Sequence, residues 1–198
     1  MFSSIKEDKE IQRLVKKEKE RQESTLNLIA SENYPSKAVR EALSSIFVAK
    51  YSEGRPHKRY YAGMENIDKL EELAQERVKK VFLGNKKGFV VNVQPYSGSP
   101  ANYAVLRALL KSGDKIMSLS LPHGGHLSHG AKVSVAGSDF KIVNYFLDKK
   151  TNLLDYKEIE RIAKKEKPEL IIAGFSAYPR EINFKKFKEI AKKVDAFL

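Results

Sequence analysis

The chain has 198 residues, no cysteine, 41% apolar residues and a formal net charge of +12. These values exclude disulfide and thiolate chemistry and bulk disorder, and no apolar run approaches the ~20 residues of a membrane-spanning helix. The excess of 37 basic over 25 acidic residues raises nucleic acid as a partner. The lysines, however, fall in pairs over helix-favouring segments, such as Lys79 with Lys80, Lys164 with Lys165 and Lys192 with Lys193. With no arginine-rich block and no aromatic-basic strand, solvated helix faces account for them better, and nucleic acid is disfavoured.

The first 21 residues are charged throughout and lack a secretory apolar core, which predicts a cytoplasmic protein. Residues 5–23 favour a helix with a thin stripe of Ile11, Leu14 and Val15, suited to an arm lying on a partner surface. Pro35 and Ser36 open a short helix to about Ile46. Residues 50–63 follow no helical or strand period and hold three tyrosines, one glutamate, two arginines and two glycines. So polar a loop points to function, against a tyrosine-rich surface loop as the plain alternative.

Residues 66–83 predict an amphipathic helix, with Ile67, Leu70, Leu73, Ala74, Val78 and Val81 on one face and Gly84 as its C-terminal cap. From there strands and helices alternate. Strands are expected at 89–93, 116–119, 142–146 and 170–173, and helices at 101–110, 155–165 and 183–194. That alternation predicts an α/β fold with a mainly parallel sheet flanked by helices. Residues 196–198 read as the start of a further strand, as in the front part of a longer fold.

Two stretches concentrate the chemistry. Ser97, Gly98 and Ser99 stand where the strand at 89–93 hands over to a helix. Free backbone N–H groups and the positive helix end suit an anion such as phosphate there, although a turn with an N-cap looks the same locally. After the next strand comes His-Gly-Gly-His-Leu-Ser-His-Gly, residues 123–130. Three histidines at three-residue spacing could hold a metal, but no cysteine or carboxylate accompanies them. Ring stacking or polar packing is expected instead, with no metal. An anion cradle beside imidazoles suggests a cofactor site.

Five stretches together resemble the serine hydroxymethyltransferase family, also called glycine hydroxymethyltransferase. They are Leu28-Ile29-Ala30-Ser31-Glu32-Asn33-Tyr34; Lys50-Tyr51-Ser52-Glu53-Gly54 with Lys58-Arg59-Tyr60-Tyr61; Asn92-Val93-Gln94-Pro95 with Ser97-Gly98-Ser99 and Ala101-Asn102; residues 123–130; and Phe175-Ser176-Ala177-Tyr178-Pro179-Arg180. The resemblance covers nearly all of the chain but about the first half of the family's length. It implies the pyridoxal-phosphate-dependent transferase fold of type I, like aspartate aminotransferase, ending before the large domain is complete. Residues 1–50 would be an N-terminal arm with short helices, and residues 51–198 the front of the cofactor-binding domain.

It further implies a homodimer with shared active sites, pyridoxal 5'-phosphate as cofactor, and serine, glycine and tetrahydrofolate as substrates. Ser97, Gly98 and Ser99 would hold the cofactor phosphate, joined by Tyr51 across the dimer interface. His126 would stack on the pyridine ring and Ser176 would lie near its phenolic oxygen. Ser31 would place the amino acid, and Glu53, with Tyr61 beside it, would be the acid–base carboxyl. Leu121, Gly125 and Leu127 would line the folate pocket.

Three positions depart from the family pattern: His57 and Ala62 replace frequent glycines, and Phe175 a small residue. The family's cofactor-binding lysine, the aspartate at the pyridine nitrogen and the substrate-gripping arginine fall beyond Leu198, so no activity is expected of this chain alone. Another pyridoxal-phosphate enzyme of the same fold, or a non-catalytic module, are the competing readings. For Glu53 the plain alternative is an ion pair with Arg55 or Arg59.

Overall fold

The computed structural model describes residues 4–198; of the charged N-terminal stretch, Met1, Phe2 and Ser3 lie outside them. The chain divides into two units, one ending at Tyr34 and one spanning Pro35–Leu198. In the first, Asp8 starts helix α1 (Lys9–Ser24) by accepting from the N–H groups of Glu10 and Ile11, both at 3.1 Å. No residue of α1 is buried, and the apolar stripe of Ile11, Leu14 and Val15 lies open. Pairs such as Lys16–Glu20 and Lys19–Glu23 lace its surface.

The second unit opens with α2 (Lys37–Leu43), capped by Ser36. Residues 50–63 are not all loop: strands β1 (Gly54–Arg55) and β2 (Lys58–Arg59) pair as a short antiparallel hairpin. Helix α3 (Glu65–Leu83) follows and ends at Gly84 with φ 58°. Its apolar stripe differs from expectation. Leu70 and Leu73 are exposed, Val81 is 77% exposed, and the one buried residue of the helix is Asp68. The polar side of α3 makes its contacts instead, by holding the hairpin.

The expected strand at 89–93 is also absent: Val90 is 98% exposed and Phe89 is open. A strand exists only where a neighbour completes its hydrogen bonds, and no described residue pairs with this segment.

The parallel sheet is built from β3 (Lys115–Leu119), β4 (Lys141–Tyr145) and β5 (Leu170–Ile171), in the order β4-β3-β5. Phe197 makes a single parallel bridge to Leu170 beside β5, and residues 196–198 form no strand of the sheet. Central β3 is buried from Ile116 to Leu119, which explains why its residues are apolar on both faces save Ser118.

Alternate residues of the sheet feed two cores. Met117, Leu119, Tyr145 and Ile171 pack with Ile159, Phe187 and Ile190 from α7 (Tyr156–Glu166) and α8 (Phe184–Lys193). Ile116 and Leu170 pack on the other face with Leu106 of α4 (Gly98–Leu109) and with Ala136 of α6 (Val135–Asp139), next to Phe140. The sheet is thus covered on both sides, and β3 ends against the histidine segment that contains α5 (Leu127–Gly130).

No helix among the described residues is long and apolar enough to cross a membrane.

Candidate functional site

Helix α4 begins at Gly98, with Ser97 as a cap whose side chain makes no capping hydrogen bond. Ala101 N–H is satisfied by Ser97 O at 3.2 Å and Pro100 has no N–H, so the free donors of the first turn are those of Gly98 and Ser99. A Cβ on Gly98 would meet no atom within 4 Å, and φ there is not positive. Neither packing nor backbone strain requires the glycine, and the backbone there lies open. Ser97 and Ser99 line a cavity of about 610 Å³ with Tyr96, Leu127 and Ser128.

The histidine segment lies directly on the end of β3. A Cβ on Gly125 would stand 2.0 Å from Leu119 O, so only glycine fits. Ser118 Oγ, buried in the sheet, donates to His129 O at 2.8 Å, and Asn144 Nδ2 donates to Gly130 O at 3.2 Å. Gly124 has φ 98°, and its carbonyl accepts from both Ser176 and Ala177 N–H at 3.0 Å. This ties the histidine segment to the segment after β5. Phe175 fills the space beneath, edge-on to Tyr145 and Tyr178.

Each histidine has its own setting. His123 Nδ1 accepts from Leu147 N–H at 3.0 Å and packs its ring on Phe146. His126 is half-buried, and its Nδ1 accepts from Ser128 N–H at 3.1 Å. His129 is buried, with no hydrogen-bond partner for Nδ1, and its ring lies 5.4 Å from that of His126. Burial, helped by the neighbouring His126, pushes His129 down to about 4.

A pH effect on stability follows. The unfolded chain binds a proton at His129 near pH 6.5, and the folded chain does so only near 4. Stability is therefore complete above pH 6.5 and falls as pH drops through that window. Between pH 7 and pH 5 this one group should remove about 2 kcal/mol. Urea midpoints for the wild type and His129→Gln at both pH values check this. The variant should lose less than the wild type, and equal losses would show that His129 titrates normally.

The tyrosine-rich hairpin forms a second cluster. Tyr51 and Tyr61 stack edge-on at 6.0 Å, and both are exposed. Tyr51 and Glu53 line a cavity of about 840 Å³ with Gln94 and Tyr96. Tyr96 also borders the cavity of Ser97 and Ser99.

Arg59 does not pair with Glu53. Its guanidinium is buried and forked onto Asp68 at 2.8 Å and Glu71 at 2.7 Å, and it donates to the carbonyls of Ser52 and Gly54. Its hydrogen bond to Asp68, with one from His57 N–H, holds that carboxyl below its usual range. Gln94 bridges Gly54 O and Glu71. His57 has φ 63°, the left-handed region where glycine is at ease, and its Nε2 lies 2.8 Å from Glu72.

Ser97 and Ser99 thus share a cavity with Ser128, which contacts His126; Ser176 is tied by its N–H to Gly124 O; and Tyr51, Glu53 and Tyr61 flank the hairpin. The three expected folate-pocket residues do not share one cavity. Leu121 lines a groove of about 600 Å³ with Tyr178 and Arg180, Leu127 borders the Ser97 cavity, and Gly125 is buried under Leu119 O. Ser31 belongs to the first unit, exposed in a turn closed by Glu32 N–H to Ile29 O. Sequence reasoning missed the Arg59 anchor and the partners of His126. The first left no local signal, since Arg59 stands 9 and 12 residues before Asp68 and Glu71.

The serine hydroxymethyltransferase family model matches residues 5–198. The chain is 56% identical over 193 residues to a serine hydroxymethyltransferase of Methanosarcina barkeri, covering 98% of this chain and 46% of that protein. Serine hydroxymethyltransferases of Rickettsia canadensis and Rickettsia massiliae are 56% and 55% identical over 190 residues, 96% of this chain and 44% of theirs. The chain spans just under half the length of these curated relatives. By sequence and by the extent of the match, it belongs to the serine hydroxymethyltransferase family.

Proposed function

We propose that this chain is the front part of a pyridoxal-phosphate-dependent serine hydroxymethyltransferase of fold type I. The protein would interconvert serine and glycine with tetrahydrofolate as the one-carbon acceptor, as a cytoplasmic homodimer. The observation that supports this most is the start of α4: two free N–H groups, an open Cβ position at Gly98, and two exposed serines, Ser97 and Ser99, that line one cavity. These donors suit a phosphate dianion, and the residues present fit the group.

Gly98 and Ser99 N–H would bind the phosphate with the Ser97 and Ser99 hydroxyls, and Tyr51 of the partner subunit would add its own. His126 would press its ring on the pyridine face, and Ser176 would donate at the ring's phenolic oxygen. Once bound, the cofactor supplies an electron sink for breaking the Cα–Cβ bond of serine. Glu53 would carry a proton at the substrate hydroxyl, with Tyr61 beside it. Ser31 would orient the amino acid, and Leu121, Gly125 and Leu127 would contact folate.

Ser99→Ala in the full-length protein tests the phosphate assignment. Losing one hydrogen bond to a charged group corresponds to roughly 1.5–3 kcal/mol, a 10- to 100-fold loss of cofactor affinity. Unchanged affinity would remove the site from Ser99.

A further inference from the structure

We propose that Ser128 and Asn102 are positioning residues for His126, fixing its tautomer and ring orientation and tying the ring to the helix that starts at Gly98. The inference rests on the cofactor reading above for its purpose, but not for its geometry.

Ser128 N–H donates to His126 Nδ1 at 3.1 Å, and Ser128 Oγ lies 2.7 Å from the same nitrogen. A backbone N–H can only donate, so Nδ1 holds no proton and the neutral ring carries its hydrogen on Nε2. Asn102 Nδ2 donates to Ser128 Oγ at 2.9 Å. Because Nδ1 has no proton to give, the Ser128 hydroxyl is the donor at 2.7 Å, sharing the nitrogen's one lone pair with the backbone N–H, while Oγ accepts from Asn102. The chain of donors therefore runs in one direction, from Asn102 through Ser128 to His126.

The backbone beneath is already anchored by Ser118 on His129 O and Asn144 on Gly130 O. What that leaves free is rotation of the His126 ring about its own side-chain bonds. The Ser128 and Asn102 contacts remove this freedom. Asn102 lies in α4, one turn beyond Gly98 and Ser99, so the imidazole is referenced to the phosphate turn through a rigid helix. A ring that must lie flat on a cofactor needs such a fixed reference, because a small misplacement of a positioning group is costly. Ser128 shares its cavity with Ser97, Ser99 and Leu127, which places the relay at the site itself. A plain N-cap of α5 would require only the backbone contact and would leave Asn102 without a part.

The test uses the full-length protein with histidine ring nitrogens labelled with 15N, at mildly alkaline pH. His126 is assigned through His126→Asn. In the wild type the two ring nitrogens of His126 should resonate far apart, as for a single Nε2–H tautomer. Ser128→Ala and Asn102→Ala should each raise the share of the Nδ1–H form, about fivefold for loss of one ordinary hydrogen bond. Ser128→Thr, which keeps the hydroxyl, should restore the wild-type separation. Asn102 is exposed, so its variant retains the fold even where Ser128→Ala does not. A separation unchanged in both alanine variants overturns the proposal.

Pyridoxal phosphate is then added, and the amide signals of Gly98 and Ser99 are followed. If these shift and the His126 tautomer also responds to both alanine variants, the relay serves the cofactor site. If the tautomer responds and the amides do not, the relay stands and the phosphate reading falls.

Discussion

Replacing Arg59 by Ala should lower the thermal midpoint of the chain by on the order of 10 °C, the largest stability loss expected of any single polar substitution here. The guanidinium is 3% exposed and serves four partners at once: Asp68, Glu71, Ser52 O and Gly54 O. Its removal takes the cation away from two carboxylates, leaving only neutral donors, His57 N–H on Asp68 and Gln94 on Glu71 and Gly54 O, and a buried charge without its partner costs far more than an exposed one. Arg59→Lys should recover part of the loss, since an ammonium matches one carboxylate but cannot fork onto two.

Acid should act on the same contact. Asp68 is held below its ordinary value, so its contribution is complete above the unfolded carboxylate range and disappears as pH falls through the lower folded value. A calorimetric scan of the wild type and both variants at neutral pH decides the matter. A midpoint shift within a degree or two for Arg59→Ala would mean that the hairpin is held by other contacts. Because Glu53 adjoins Gly54, loosening this anchor should also free the carboxyl to which the acid–base role is assigned. That links a stability change to a change in turnover of the full-length protein.

The second large effect is all-or-none. The 198-residue chain by itself should show no tetrahydrofolate-dependent serine cleavage above background. The covalent link to the cofactor aldehyde needs a lysine whose amine is neutral, and in proteins that requires a desolvated site. No lysine among the described side chains is buried. Lys115 is only partly enclosed, and its amine is occupied by Glu166 O at 2.7 Å and Glu166 Oε2 at 3.3 Å. Mixing the chain with pyridoxal phosphate, reducing with borohydride and mapping labelled peptides should give scattered, substoichiometric labels. One fully labelled lysine together with serine cleavage would show instead that a residue of this chain performs the step.

The elements around the sheet were legible because their causes are local. Asp155 and Asn183 each cap a helix through side-chain oxygens two or three residues from the donors, and the apolar residues behind them recur at helical spacing. The short run Ile116, Met117, Ser118 and Leu119, with no charge and one small polar residue, marked a strand buried on both faces, and it is the sheet's centre. The family was legible for a different reason: five motifs in order are more specific than any one turn.

Tertiary structure alone decided the rest. An apolar run at 89–93 has the composition of a strand, but pairing depends on a neighbour that composition does not name, and Val90 lies in solvent. The apolar stripe of α3 obeys helical spacing, yet spacing says only which residues share a side and not what lies opposite, so the helix binds through Asp68 and Glu71 instead. Arg59 reaches partners 9 and 12 residues away, and Asn102 meets Ser128 across 26. Contacts of that kind arise from how layers stack on β3. They are invisible to any rule that works over three or four residues of chain, and they hold the two clusters assigned to the chemistry.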